Sequence, residues 1–109
     1  MKFAVSLSLD QTEAVLVKEL CGDFGATLTG SRDITASDRK SKVLVFSRFY
    51  KRYASLFGLT VVITDKDAFS EVSLSASCGR KDAPIVGDMG ASLDFCLEAQ
   101  AVLKPYEIK

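Results

Sequence analysis

SRFYKRY, Ser47 to Tyr53, sets three cations and three aromatics within seven residues. Guanidinium groups pair with phosphate or carboxylate and aromatic rings stack bases, so the composition suits a surface that grips an anion. Arg39, Lys40 and Lys42 extend the positive charge upstream. A plainer reading is a β-strand with a wet side, where aromatics and long cationic stems stabilise the sheet by packing and Glu71 neutralises one arginine.

The second chemically interesting stretch is CGRKDAPIVGDMG. Gly79 lets the backbone approach a ligand, and Arg80 and Lys81 flank Cys78, where cations favour thiolate. The alternative is that Cys78 ends a strand pointing inward and Gly79 makes the turn. Cys21 and Cys96 fall on apolar helical positions, as small core residues do, and the spacing of the three cysteines fits no zinc pattern. Asp65, Asp67 and Glu71 gather near a turn, where acids serve solubility and turn geometry. No metal and no cofactor is expected. The chain contains no histidine, which removes serine–histidine and cysteine–histidine mechanisms. It has no GxxxxGK[ST] phosphate loop either. The composition points to a domain without catalytic activity.

At 109 residues the chain makes one domain, residues 1–109, with room for a single core. Apolar residues are 48% and charged residues 26%, an ordinary globular balance. Fourteen cations match fourteen anions, so no global field draws the protein to nucleic acid or membrane. Three cysteines make no disulfide scaffold, the N-terminal apolar run is too short for a secretory signal, and no stretch approaches the roughly 18 apolar residues of a membrane helix. A soluble cytoplasmic protein is the expectation.

These residues must be held by regular elements. KFAVSLSL alternates as a half-buried strand, with Phe3, Val5, Leu7 and Leu9 on one side. Asp10 offers a helix N-cap with Glu13 as its capping-box partner, and Ala14, Val17, Leu20, Cys21 and Phe24 form the apolar stripe of a helix ending near Asp23. ATLTGSRDIT is a weaker strand with a bulge near Gly30, and ITASDRKSK a polar turn. KVLVFSRFYKRY is the strongest strand; ASLFG turns it and LTVVIT runs back. DKDA turns into FSEVSLSASC. After a long connection, Ser92 to Lys104 forms a helix with Leu93, Cys96, Leu97 and Ala101 on one side, closed by Pro105.

The order is β-α-β-β-β-β-α. Short links make the strands antiparallel, and two amphipathic helices cover one face of a five-stranded sheet, giving an α+β two-layer sandwich. Leu59, Val61 and Ile63, and Val72, Leu74, Ala76 and Cys78, point inward. Interleaved arginines and aromatics place Leu44, Phe46, Arg48, Tyr50 and Arg52 on the open face, with Val43, Val45, Phe49 and Tyr53 beneath the helices. The candidate binding surface is therefore Phe46, Arg48, Tyr50, Arg52, Ser75 and Ser77, with Cys78, Gly79 and Arg80 at its rim.

The run VLVFSRFYKRYASLFGLTVVITDKDAFSEVSLSASCG, followed by a loop and a C-terminal helix, resembles a family of small bacterial proteins of unknown function. The resemblance spans roughly residues 25 to 104; Cys78 interrupts the family's Ser/Gly loop. It implies length and fold but no activity. The element order also resembles one repeat of the TATA-binding fold, by analogy alone. Two functional expectations follow. The open face is a protein-interaction or homodimer surface anchored by Phe46 and Tyr50, or it binds nucleic acid or a small anion through Arg48, Lys51 and Arg52.

Overall fold

The computed structural model describes residues 1–36, 38–51, 55–78 and 85–108, with backbone alone at 78 and 85–92. Strand β1 (Lys2–Val5) leads into helix α1 (Leu9–Cys21). Strands β2 (Thr27–Ala36), β3 (Arg39–Tyr50), β4 (Ser55–Asp65) and β5 (Ser70–Cys78) follow as a meander. Helix α2 (Ile85–Leu103) and a 3-10 turn, Lys104–Tyr106, complete the chain. All pairs are antiparallel, in the order β1-β5-β4-β3-β2. The expected α+β class and element order are those of the structure.

Both helices lie on one side of the sheet. Against them stand Val5 of β1, Leu44, Phe46 and Tyr50 of β3, Phe57, Leu59, Val61 and Ile63 of β4, and Val72 and Leu74 of β5. Leu16 and Leu20 of α1 and Phe95, Ala99 and Leu103 of α2 meet them. Tyr50 sits edge-on to Phe57 and Phe95, with ring centroids 5.4 and 5.8 Å apart, which locks α2 to the centre of the sheet.

The helices differ from expectation in their limits and faces. Ser8, not Asp10, caps α1: the Gln11 N–H donates to Ser8 Oγ at 3.2 Å, and the Ser8 N–H donates to Gln11 Oε1 at 3.1 Å. A serine placed two residues earlier, with glutamine three ahead, satisfies two N–H groups reciprocally. The buried face of α1 is Thr12, Leu16 and Leu20, while Ala14 and Cys21 are exposed. Helix α2 begins at Ile85 rather than Ser92, and buries Phe95, Cys96, Ala99 and Leu103. Leu93 and Leu97 are 53% and 44% exposed. An α2 apolar on both sides gives no single stripe to read, so its orientation is set by Phe95 against Tyr50.

Strands also extend where turns were expected. Residues 34–36 and 39–42 lie within β2 and β3, and Ser55 to Gly58 belong to β4. The β2–β3 hairpin is therefore a long arm, exposed on both sides from Ser31 to Ala36. The bulge near Gly30 is present, between Leu28 and Gly30. Gly25, at φ +68°, takes the left-handed turn between α1 and β2 that a side chain would strain.

Candidate functional site at the sheet surfaces

The principal correction concerns β3. Leu44, Phe46 and Tyr50 are buried beneath the helices, and Arg48 lies with them; Phe49 is 57% exposed on the open side, in the same row as Val43, Val45 and Ser47. The two rows of β3 are the reverse of those expected. The cations on the inner row are explained by carboxylates the helices supply. Arg48 forms an ion pair with Glu98 of α2, and its guanidinium carbon stands 4.6 Å from the centre of the Tyr50 ring. The Tyr50 hydroxyl donates to the same Glu98 carboxylate at 3.1 Å. At the other end of the row, Lys42 donates to Glu13 of α1 at 2.9 Å and lies 3.3 Å from Asp33.

Arg48 and Lys42 thus each clamp one helix to β3. The half-buried Arg48–Glu98 pair uses charge-assisted bonds that a purely apolar row would lack. Burial, and then the Glu98 charge, push the Tyr50 phenol well above its ordinary value, so it is a neutral donor at physiological pH. The hydrogen bond to Glu13 raises the Lys42 ammonium further above its ordinary value. Burial also raises the Cys96 thiol, as fits a core cysteine.

The open face carries different residues from those expected of β3. Register aligns them in rows across the sheet: Ile34, Ser41, Thr64, Glu71 and Ala4; then Arg32, Val43, Val62, Ser73 and Lys2. Next come Gly30, Val45, Thr60 and Ser75, then Thr27, Ser47, Gly58 and Ser77, and finally Phe49 opposite Leu56. Ser75 and Ser77 are outward and exposed, as expected. Ser41 Oγ donates to Thr64 Oγ1 at 3.3 Å across the face. Phe49 and Leu56, 57% and 51% exposed, form the largest apolar feature among the described residues here. Lys2 and Glu71 lie 3.7 Å apart at one lateral edge, and Arg32 stands near the other.

No family model, curated protein or solved structure matches the chain. The site must therefore be judged on its chemistry alone. Of the expected site residues, Ser75 and Ser77 stay on the open face; Phe46, Arg48 and Tyr50 leave it. Arg52, Gly79 and Arg80 lie outside the described residues, as does the Cys78 side chain. Sequence reasoning misses Leu56, which it places in a turn, and Phe49, which it places inside. Their signal is the position opposite each other in a hairpin, legible once β4 is extended back to Ser55.

Elsewhere, a cleft of about 450 Å³ separates the start of α1 from the β2–β3 arm, lined by Ser8, Asp10, Asp33, Lys40, Lys42 and Asp65 among others. Its Lys42 is already engaged with Glu13 and Asp33. Asp65 Oδ1 accepts from the Asp67 N–H at 2.9 Å, and Asp67 adopts φ +68°, so these acids build the β4–β5 turn. Among the described residues, no helix is long and apolar enough to cross a membrane.

Proposed function

We propose that the protein is a small cytoplasmic association module whose working surface is the open sheet face, occupied by the same face of a second copy. The observation that supports this is the exposed Phe49–Leu56 pair on a face with few charges. Aromatic and large aliphatic side chains surrounded by hydroxyls and small residues match the centre of a protein interface, where charge is depleted. The size is suitable. Four strands of about ten residues rising about 3.3 Å each, set about 4.8 Å apart, offer a plane of roughly 600 Å², with the short β1 beside them. One partner of a standard interface buries about 800 Å².

Charge does not oppose a second copy as the occupant. Turning one sheet over another about an axis along the strands lays β2 of each copy above β5 and β1 of its partner. Arg32 then comes over the Lys2–Glu71 pair, whose two charges offset each other. Sheets stacked this way align within about 30° and sit about 10 Å apart. The anion-binding reading loses its centre, because Arg48 is held by Glu98 on the helix side.

Sedimentation equilibrium tests the reading. The wild-type chain is expected to associate with rising concentration, and Phe49→Ser combined with Leu56→Ser to weaken that association at least about tenfold, two anchors at about 1 kcal/mol or more each. Association unchanged by the pair of substitutions, or a wild-type chain monomeric at millimolar concentration, overturns it.

A further inference from the structure

The two lateral edges of the sheet are treated differently. The outer side of β1 is closed by the C-terminal segment: the Ser6 N–H donates to the Tyr106 carbonyl and the Ile108 N–H to the Ala4 carbonyl, both at 2.8 Å, and Val5 bridges Glu107. Strand β2, the opposite edge, has ten residues, and among the described residues no strand pairs with its outer side. From Gly30 to Ala36 it runs in unbroken register with β3, and from Ser31 onward it is exposed on both faces. A row of free N–H and C=O groups of that length is a template for another strand. Ile34, 42% exposed, stands in the middle of this stretch.

We infer that the β2 edge pairs with β2 of a second copy, antiparallel, with Ile34 opposite Ile34 across a two-fold axis normal to the sheet. The register follows from elimination. Residues opposite each other in such a pair must point to the same face, so the axis runs midway between the two copies of a single residue. Centred on Ser31, the pair would run into the bulge at Leu28–Gly30. Centred on Arg32 or Asp33, it would set like charges directly opposite, which is destabilising. Centred on Thr35 or Ala36, it would leave most of the strand beyond the partner's end. Centred on Ile34, it sets two β-branched apolar side chains together, Asp33 against Thr35, and Arg32 against Ala36. The neighbouring rows do not oppose it. Thr35 pairs with Lys40 and Ala36 with Arg39, so Asp33 lies two strand spacings, about 10 Å, from Lys40 of the other copy, and Arg32 equally far from its Arg39. The one attraction and the one repulsion offset each other, and physiological salt screens both alike. Among the described residues, exposure on both faces of the arm leaves room for the side chains of an incoming strand.

The Ile34 side chain belongs to the open face, but the strand pair forms at the lateral edge through backbone groups, so either association can exist without the other. A short strand pair buries less than a standard interface, as weak, transient associations do. The test is sedimentation equilibrium in the Phe49→Ser, Leu56→Ser background, which weakens face-to-face contact and leaves β2 untouched; rescue by mixed variants, which face-to-face stacking does not produce, tells the two associations apart. A concentration-dependent dimer is expected there up to about 1 mM. Ile34→Lys in that background should weaken it about tenfold, as should Ile34→Glu, because each replaces an apolar pair by like charges. Mixing the Lys and Glu variants should restore association as a mixed dimer, since only the Ile34-centred register brings the two charges together. A background protein that stays monomeric at 1 mM, indifference to Ile34→Lys, or mixed variants that fail to associate would each overturn the proposal, and none bears on the open face.

Discussion

Tyr50 shows how one side chain serves several purposes in this core. Its ring fills the space between Phe57 and Phe95, its face carries the Arg48 guanidinium, and its hydroxyl donates to Glu98. Tyr50→Phe keeps the ring contacts and removes the hydroxyl, so it should cost about 1 kcal/mol at neutral pH. The difference should then change with alkali. The folded protein holds the phenol above its ordinary value of 10.0, so its contribution is complete below pH 10 and is lost as pH climbs beyond, where the unfolded chain ionises first. The Tyr50→Phe variant lacks that titration. Urea midpoints between pH 7 and pH 11 should show the wild-type protein falling more steeply and the gap closing; a gap that widens above pH 10 contradicts the buried, neutral phenol.

At the scale of elements, the N-terminus of α1 discriminates two serviceable caps. Ser8 closes a capping box with Gln11, whereas Asp10 lies inside the first turn. Ser8→Ala should cost about 1 kcal/mol and Asp10→Ala only a few tenths, through the helix dipole. Chemical denaturation of both variants decides; equal losses would return the cap to Asp10. Strands differ in how openly they declare their faces. Those of β4 and β5 are legible from sequence because apolar and polar residues alternate along them, with Leu56 and Val62 the apolar residues in outward places. On β3 both rows mix apolar and charged residues, and the rule that charges face water selects the wrong one. Glu13 and Glu98, far away in sequence, reverse the preference by offering Lys42 and Arg48 partners beneath the helices. Local period cannot report a partner that arrives from another element. The same reversal displaces the candidate site, exchanging Phe46 and Tyr50 for Phe49 and Leu56.

The whole molecule is elongated, 41 × 28 × 23 Å, with a radius of gyration of 14.0 Å where a compact chain of this length has about 13 Å. The β2–β3 arm accounts for the excess, since it runs past the cover of the helices. Opposite the arm, Tyr106 and Ile108 lie along β1, joined to Ser6 and Ala4. Contacts between residues about 100 positions apart impose a large loop-closure entropy, and loops must close before such contacts reward them. The β2-to-β5 meander can assemble from neighbouring hairpins, whereas β1 must wait for β5 and for Tyr106–Ile108. A circular permutant that tethers the old ends by a short linker, and opens the chain at exposed Asp23 between α1 and β2, turns these remote contacts into near ones. Stopped-flow refolding of this permutant should run about tenfold faster than that of the parent at similar stability. Equal rates would mean that the slow step lies in the meander, and that the stapled edge closes after the barrier is crossed.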